Sequence, residues 1–235
     1  MIEASNVTPP IIDVLIPAYN EEGSIGKVIA AIPSVVRQIV VVNNGSEDRT
    51  AEVATDFGAL VVDEPVKGYG QACLTGMAFL TRQEVTPHIL VFLDGDYSDF
   101  PEQLEEVIRP ILEDGMDMVI GSRALGTREI GSMTLPQVFG NWLSTTLMRW
   151  IYGTHYTDLG PFRAIRWEAL WDLGMEDRNY GWTIEMQIKA AKKGMKTTEV
   201  PVNYRRRIGV SKVSGTVRGV IGAGYKILWT IWRYS

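Results

Sequence analysis

Short apolar runs alternate with longer segments of helical spacing, and this alternation constrains the fold more than any other feature of the chain. The apolar runs predict buried strands at residues 11–16, 39–42, 60–62, 89–93, 118–120, 162–165 and 196–204. Helices are expected at residues 25–32, 48–57, 70–83, 137–152 and 183–193, with two more beginning at Pro101 and near residue 216. Asp99 is expected to cap the helix that starts at Pro101. Strands that alternate with helices favour an α/β fold with a mostly parallel central sheet and helices on both faces.

The length of 235 residues is enough for one large domain. We place this domain at residues 1–215 and treat residues 216–235 as an additional C-terminal helix. One cysteine, Cys73, excludes an internal disulfide, and two histidines with one cysteine exclude an ordinary Cys/His zinc site. A metal ion would therefore have to be held by carboxylates. We see no signal peptide and no uninterrupted membrane span.

The charge of the chain is unevenly distributed. The net charge is −5, yet seven basic and no acidic residues follow Glu199. A basic end on an acidic protein indicates a phosphate, a nucleic acid or an anionic membrane as partner. The absence of a helix-turn-helix or zinc pattern, together with the acidic remainder, argues against nucleic acid.

The most informative motif is Asp94-Gly95-Asp96, which directly follows the apolar run at residues 89–93. Two carboxylates at the end of a buried strand can hold a hard cation such as Mg²⁺ or Mn²⁺, with water and substrate phosphates as further ligands. Such an ion neutralises a diphosphate leaving group. An acidic turn without function is the alternative.

Three further motifs follow predicted strands, at residues 16–22, 42–48 and 67–72. The first offers Tyr19 and polar groups for a nucleobase and ribose, or is a simple turn. The second includes Asn44 and is either a binding loop or a helix cap. The third, Lys67-Gly68-Tyr69-Gly70-Gln71, has glycines that permit close backbone approach and a lysine that can meet a phosphate. Ligands of such sheets bind at the carboxyl ends of the strands, where all four motifs fall.

Together these motifs resemble the family-2 inverting glycosyltransferases of GT-A fold, over residues 11–212. The subgroup that the chain resembles is the dolichyl-phosphate mannose and glucose synthases. That resemblance is carried by four segments, residues 94–102, Gly121-Ser122-Arg123, residues 157–163, and residues 199–202 followed by Gly209-Val210-Ser211-Lys212. A single Rossmann-like GT-A domain and a nucleotide-sugar donor are what the resemblance implies.

The resemblance also implies roles for individual residues. Asn44 stands where the family usually has an aspartate, which leaves uracil and guanine both open as the base. The implied nucleotide-sugar contacts are Pro17, Tyr19, Glu21, Asn44, Lys67, Gln71, Asp94 and Gly95. The implied metal ligands are Asp94, Asp96 and Ser98, and the implied phosphate-gathering or catalytic groups are Asp96, Arg123, Arg207 and Lys212.

Two kinds of acceptor are compatible with these residues. A polyprenyl or dolichyl phosphate is already an anion at neutral pH and needs no general base. A hydroxyl acceptor needs a carboxylate to take its proton, and Glu185 is the candidate. Glu185 has an alternative role as an internal helix hydrogen-bond partner. A nucleotidyltransferase is disfavoured, because the glycine-rich basic loop expected after its first strand is missing.

The C-terminal helix combines cations with apolar residues. Arg218, Lys226 and Arg233 recur on one narrow face, while Ile231 and Trp232 are among the apolar residues that cover much of the rest. This pattern is typical of an interfacial membrane helix. It is equally compatible with packing on the core or on a second subunit. The first alternative predicts a cytoplasmic protein held peripherally on the cytoplasmic face of the membrane, released by high salt.

Overall fold

The structure is a computed structural model that describes residues 9–209 and 217–235. A seven-stranded sheet with the order β3-β2-β1-β4-β6-β5-β7 forms its centre. The strands are β1 (Ile12–Ala18), β2 (Gln38–Asn43), β3 (Leu60–Asp63), β4 (Ile89–Phe92), β5 (Met118–Ser122), β6 (Arg163–Arg166) and β7 (Thr197–Pro201). All neighbouring strands pair in parallel except β6, which is antiparallel to β4 and to β5.

Helices cover both faces of the sheet. They are α1 (Ile25–Ala31), α2 (Thr50–Asp56), α3 (Tyr69–Thr81), α4 (Leu104–Glu113), α5 (Leu135–Tyr152), α6 (Trp167–Leu173), α7 (Trp182–Lys192) and α8 (Val217–Tyr234). Side chains alternate along each strand, so Leu15 packs in the cluster that contains α3 and α5–α8. Its neighbours Val14 and Ile16 pack with α1, α2 and α4 on the other face. The predicted α/β class, mostly parallel sheet and two covered faces are confirmed.

Three local features differ from expectation. Helix α6 was not predicted, and neither was the antiparallel direction of β6. The prediction that Asp99 caps a helix was wrong, because Phe100 occupies the N-cap position of the 3-10 turn Pro101–Gln103 that leads into α4. Both carboxylate oxygens of Asp99 are instead buried without a hydrogen-bond partner.

Helix α8 packs on the core beside α5 and α7. Thr230 and Ile231 are buried, and the Tyr152 hydroxyl on α5 donates to the Ile231 carbonyl at 2.6 Å. Ile231, which the interfacial-helix alternative would have placed outward, therefore points into the core. The outward face of α8 carries Tyr225 and Trp232, which are 68% and 74% exposed. Within the described residues, no helix has the length and apolar character that a membrane span requires.

Candidate active site

The carboxyl ends of six parallel strands meet at one edge of the sheet, and β6 begins at the same edge. The motifs at residues 16–22, 42–48 and 67–72 follow β1, β2 and β3, and the acidic motif follows β4. Arg123 follows β5, and Arg207 lies beyond β7. The parallel topology thus places the predicted motifs along one edge, as the rule for such sheets requires.

Asp96 is held by Ser98 and Arg207. Its Oδ1 atom accepts hydrogen bonds from the backbone N–H of Ser98 at 2.9 Å and from the Ser98 hydroxyl. The other oxygen forms an ion pair with Arg207. Ser98, predicted as a metal ligand, is buried, and its hydroxyl donates a hydrogen bond to Asp96. The structure therefore uses Ser98 to orient Asp96.

Asp94 has free capacity to bind a cation. Its Oδ1 atom is buried and has no hydrogen-bond partner. Burial and the nearby charge of Asp96 raise the pKa of Asp94 to about 7, although a hydrogen bond from Tyr69 and the charge of Arg207 oppose the shift. An unpartnered carboxylate oxygen beside a second carboxylate fits a divalent cation, which would relieve this repulsion.

The rest of the coordination shell must come from outside the chain. No group of three or more His, Cys, Asp or Glu side chains is arranged to hold a metal ion in the part of the chain that the structure describes. Two carboxylates with phosphate and water ligands are the usual arrangement for Mg²⁺ at nucleotide sites. The residues present thus fit a cation that arrives with a diphosphate.

Asp99 is a third buried carboxyl group, and sequence reasoning gave it only a capping role. It is 2% exposed, and neither oxygen has a hydrogen-bond partner. Burial, followed by the charges of Asp94 and Asp96, raises the pKa of Asp99 well above its usual range. Its position two residues before Pro101 favours a cap in the sequence, so only the folded structure identifies it as a member of this cluster.

Two non-glycine residues at or beside these motifs have left-handed backbone, which asparagine tolerates but which is strained for the bulkier Tyr97. Asn20 and Tyr97 have φ values of 55° and 62°, the left-handed region that non-glycine residues avoid. Tyr97 lies between Asp96 and Ser98, and its ring contacts the Arg205 guanidinium at 3.6 Å from the centroid. Strained backbone of this kind concentrates at functional sites, where surrounding contacts hold it in place.

The three predicted phosphate-gathering cations have different surroundings. Arg123 forms a bidentate ion pair with Asp158, with its Nε and Nη2 atoms 2.8 and 2.7 Å from the two carboxylate oxygens. Arg207 is paired with Asp96. Lys212 lies outside the described residues. Arg123 and Arg207 both lower the pKa of Asp94, so both lie close enough to act on the carboxylate pair.

Asp158 is a residue that the sequence motif contained but to which we assigned no role. Although burial opposes it, the Arg123 guanidinium holds the pKa of Asp158 below its usual range. Glu199 on β7 accepts the backbone N–H groups of Thr157 and Asp158 at 2.9 and 3.1 Å. Glu199 therefore fixes the start of the segment at residues 157–163, and Asp158 in that segment holds Arg123.

The predicted donor-side residues Tyr19 and Lys67 meet. Lys67 Nζ donates to the Tyr19 hydroxyl at 2.7 Å and lies 4.3 Å from the centre of its ring. Gln71 Nε2 donates to Glu64 at 2.9 Å, while Gln71 Oε1 is buried without a partner. A tyrosine ring, an exposed ammonium group and an unused amide oxygen can together contact a nucleotide.

Both polar atoms of the Asn44 side chain form hydrogen bonds with the protein backbone. Its Nδ2 atom donates to the carbonyls of Glu64 and Val66 at 3.1 and 2.7 Å, and its Oδ1 atom accepts the Gly68 N–H at 2.7 Å. This side chain, for which the resemblance implied a nucleoside contact, shapes the segment that carries Lys67. We call residues 67–71 the Lys67 turn.

The remaining implied donor contacts lie close by. Pro17 is in β1, in register with Val42 of β2. The Glu21 carboxylate accepts the Ser24 hydroxyl at 3.0 Å and also raises the pKa of Arg207. Gly95 faces inward, because a Cβ atom there would contact Ile25 at 3.4 Å.

Gly68 and Gly70 do permit a close backbone approach, but the partner is the protein itself. A Cβ atom would lie 2.2 Å from the Arg178 carbonyl at Gly68 and 1.9 Å from the Asp177 carbonyl at Gly70. The Gln71 N–H donates to the same Arg178 carbonyl at 3.0 Å. Residues 174–181 between α6 and α7, here called the acidic loop, therefore pack directly on the Lys67 turn.

Glu185, the predicted base, lies in α7 and is fully buried. Its carboxylate pairs with Lys189 at 2.8 Å and accepts the Tyr234 hydroxyl at 2.9 Å. It also accepts the backbone N–H groups of Glu176 and Asp177 at 3.1 and 2.8 Å. The structure thus commits the Glu185 carboxylate to contacts within the protein, most of which lie outside its own helix.

Comparisons with known proteins address the family to which the chain is similar. The model of a family described as Glycosyl transferase family 2 matches residues 13–174. An uncharacterized glycosyltransferase of Mycobacterium tuberculosis is 39% identical over 218 residues, covering 89% of this chain and 93% of its own. A dolichyl-phosphate hexose transferase of Haloferax volcanii is 33% identical over 206 residues, covering 85% of each chain.

The fold also matches solved structures. Glucosyl-3-phosphoglycerate synthase from Mycobacterium tuberculosis superposes with a TM-score of 0.75 at 22% identity, covering 96% of this chain and 80% of that one. At this level of identity the match concerns the fold, which is the GT-A arrangement that the sequence predicts.

Proposed function

Since this chain belongs to glycosyl transferase family 2, we propose that it moves a hexose from a UDP- or GDP-sugar to a polyprenyl- or dolichyl-phosphate-type lipid, with inversion. The glycosyltransferase activity follows from the family. The acceptor class is supported by the name of the dolichyl-phosphate hexose transferase, which is 33% identical to the chain over 206 residues.

The observation that carries the phosphate acceptor is the pairing of carboxylates with cations at one edge of the sheet. Arg207 forms an ion pair with Asp96, and an ion pair with Asp158 holds Arg123 nearby. A lipid phosphate attacks as an anion and requires no proton acceptor. Glu185, the base that a hydroxyl acceptor was expected to use, has its carboxylate committed to Lys189, Tyr234 and two backbone N–H groups.

Asp94 and Asp96 would hold the Mg²⁺ or Mn²⁺ ion that the proposal includes. When bound, such an ion neutralises charge on the leaving diphosphate. Ser98 and Tyr69 orient the two carboxylates through hydrogen bonds. Tyr19, Lys67 and Gln71 would contact the donor nucleotide, and Arg123 and Arg207 would compensate the remaining phosphate charge.

A hydroxyl acceptor remains a second candidate because of Asp99. This buried carboxyl group has two unpartnered oxygens next to the carboxylate pair. In its ionised form such a carboxylate could take the proton of a hydroxyl acceptor. The two candidates differ in the effect of Asp99→Asn, which removes a base needed only by the hydroxyl acceptor.

We further propose that the protein works peripherally at the cytoplasmic face of a membrane. Helices α5 and α8 are neighbours, and each carries exposed aromatic residues, including Trp142 and Trp232 at 58% and 74% exposure. Tryptophan is favoured at the headgroup level of a bilayer. Lys226 and Arg233 form ion pairs with Asp177 and Glu176, so the attraction would come mainly from the aromatic side chains.

The test is a matched pair of acceptors, a polyprenyl phosphate and the polyprenol of the same chain length. Initial rates are measured with UDP- and GDP-hexoses in Mg²⁺, in Mn²⁺ and in chelator. We expect transfer to the phosphate only, and we expect it to depend on the cation. Transfer to the polyprenol that is lost in Asp99→Asn would establish the hydroxyl acceptor instead.

A further inference from the structure

The acidic loop packs directly against the Lys67 turn. Gly68 and Gly70 bring the two backbones into direct contact, and the Gln71 N–H donates to the Arg178 carbonyl at 3.0 Å. Any displacement of the loop would therefore move the Lys67 turn. The turn begins at Lys67 and has Tyr69 at its centre, and a hydrogen bond from Tyr69 lowers the pKa of Asp94.

The shape of the acidic loop depends on two carboxylates. Asp177 accepts the N–H groups of Asn179 and Gly181 at 2.8 and 3.1 Å. Glu185 accepts the N–H groups of Glu176 and Asp177 from the other side. These bonds satisfy the backbone of a tight segment that has little secondary structure of its own.

Helix α8 holds both carboxylates. Lys226 Nζ lies 2.9 Å from Asp177, whose side chain is only 6% exposed. The Tyr234 hydroxyl donates to Glu185 at 2.9 Å. Gly181 fits between Asp177 and Thr230 of α8, since a Cβ atom there would lie 2.4 and 2.9 Å from them. Together with the Arg233–Glu176 ion pair at 3.1 Å, these contacts join α8 to the loop both directly and through Glu185.

We propose that α8 is a positioning element for the donor side of the site, with Lys226 and Tyr234 as its positioning residues. The two side chains hold the acidic loop, the loop holds the Lys67 turn, and the turn sets Lys67 and Tyr69 relative to Asp94. The inference rests on the proposed donor contacts of that turn. It gives α8 a role in nucleotide binding that is independent of any membrane.

The variants are Lys226→Met, which removes the ion pair with Asp177, and Tyr234→Phe, which removes the hydroxyl that bonds Glu185 and Glu176. Both leave apolar side chains on α8. Lys226→Arg keeps the charge and serves as the rescue. Lys193→Met is the matched control. This variant removes a lysine whose side chain is 41% exposed, compared with 30% for Lys226. The partner of Lys193, at 3.2 Å, is Asp172 on α6 and not a residue of the acidic loop.

The first readout is amide hydrogen exchange in residues 66–72, which needs no substrate. We expect faster exchange there in Lys226→Met and Tyr234→Phe, and wild-type exchange in Lys226→Arg and Lys193→Met. The second readout is the affinity for UDP and GDP in Mn²⁺. We expect about five- to tenfold weaker nucleotide binding, at the low end of coupling between separated sites, and an unchanged KM for the acceptor.

Unchanged exchange in residues 66–72 together with unchanged nucleotide affinity in Lys226→Met would overturn the inference. An equal loss in Lys193→Met would overturn it as well, since the effect would then be general destabilisation. Failure of the proposed acceptor would look different, because wild-type protein would bind nucleotide and show the exchange pattern while giving no glycosylated lipid.

Discussion

At the scale of single residues, the candidate site concentrates buried carboxyl groups that the fold alone does not neutralise. Asp96 has Arg207 and Ser98 as partners, whereas Asp94 retains an unpartnered oxygen and Asp99 retains two. Buried polar groups without partners are uncommon in folded proteins and cost stability. This cost is understandable if the group serves a ligand.

The first prediction concerns Asp96. Replacement Asp96→Asn removes the charge that would bind a cation but keeps an oxygen for Ser98. We expect transferase activity to fall by about 10²–10³-fold, the usual effect of losing one electrostatic contributor in an active site. Calorimetric titration with Mn²⁺ and UDP or GDP should show the same loss of cation binding. Wild-type activity of this variant in the presence of chelator would exclude the metal site.

The second prediction concerns the stability cost of Asp94. Its pKa is raised from 3.8 to about 7 in the folded protein, so the folded state binds this proton more tightly than the unfolded state. The stability that the proton provides is present at pH 4 and is lost as the pH rises through 7. Asp94→Asn should therefore be more stable than the wild type at pH 8, by up to about 4 kcal/mol, since each pKa unit corresponds to about 1.4 kcal/mol.

The measurement is denaturant unfolding of the metal-free protein from pH 4 to pH 8. The stability difference between Asp94→Asn and wild type should shrink towards zero at pH 4. Glu113→Gln, at an exposed position on α4, is the control and should show no such trend. A variant that is less stable than wild type at pH 8 would contradict the assignment of Asp94 as a destabilising charge.

At the scale of elements, the contact between α3 and the acidic loop accounts for the glycines of the Lys67 turn. In Gly70→Ala, the new methyl group would lie 1.9 Å from the Asp177 carbonyl, a backbone atom that cannot rotate away. We expect a loss of about 2–3 kcal/mol in the free energy of unfolding, as for other overpacked sites. Thermal and denaturant unfolding both measure it.

Gly140→Ala provides the comparison for that glycine. Gly140 lies inside α5, and a Cβ atom there meets nothing within 4 Å. Alanine is favoured over glycine in a helix interior by about 1 kcal/mol, so this variant should be as stable as wild type or slightly more so. Equal destabilisation in the two variants would show that the close contact at Gly70 is not the cause.

Periodicity was sufficient for most elements but not for their directions. The strands and helices of the first half lie within a few residues of the predicted ranges, because local apolar patterns report burial. The antiparallel β6 could not be predicted, since an apolar run has no direction. The sequence pattern did not reveal α6, because this helix has only seven residues, Trp167–Leu173, and follows β6 without an intervening turn.

The candidate site residues likewise fall into those that local motifs reveal and those whose role depends on tertiary contacts. Asp94, Asp96, Tyr19 and Lys67 could be chosen from motifs, because each follows a strand of a parallel sheet. The engagement of Glu185 could not, since its partner Tyr234 lies 49 residues away in the sequence. Local patterns identify chemistry-bearing residues at strand ends, whereas tertiary contacts decide which of them are already occupied.

At the scale of the whole molecule, the proposed membrane surface consists of exposed aromatic residues on the neighbouring helices α5 and α8, including Trp142 and Trp232. If this surface meets the membrane, Trp142→Ser with Trp232→Ser should lower partition onto anionic liposomes at least about tenfold, since burying one large apolar side chain contributes about 1.5–3 kcal/mol. High salt should have a small effect, because Lys226 and Arg233 are already paired.

Trp171→Ser is the control for that experiment. Trp171 is 47% exposed but lies on α6, where its ring packs edge-on against Trp167. It should leave liposome binding unchanged. Equal partition of wild type and the double variant in a co-sedimentation assay would assign the aromatic surface to contact with another protein, including a second copy of the chain.

The central claim is inverting transfer to a lipid phosphate, and the structure of the product tests it most directly. Purified protein is incubated with Mn²⁺, a UDP- or GDP-hexose and a polyprenyl phosphate, and the lipid product is analysed by mass spectrometry and by NMR of the anomeric centre. The account predicts a hexose joined to the lipid through its phosphate, with the anomeric configuration opposite to that of the donor. A product with the donor's configuration, or a hexose attached only when the acceptor is a polyprenol, would contradict it.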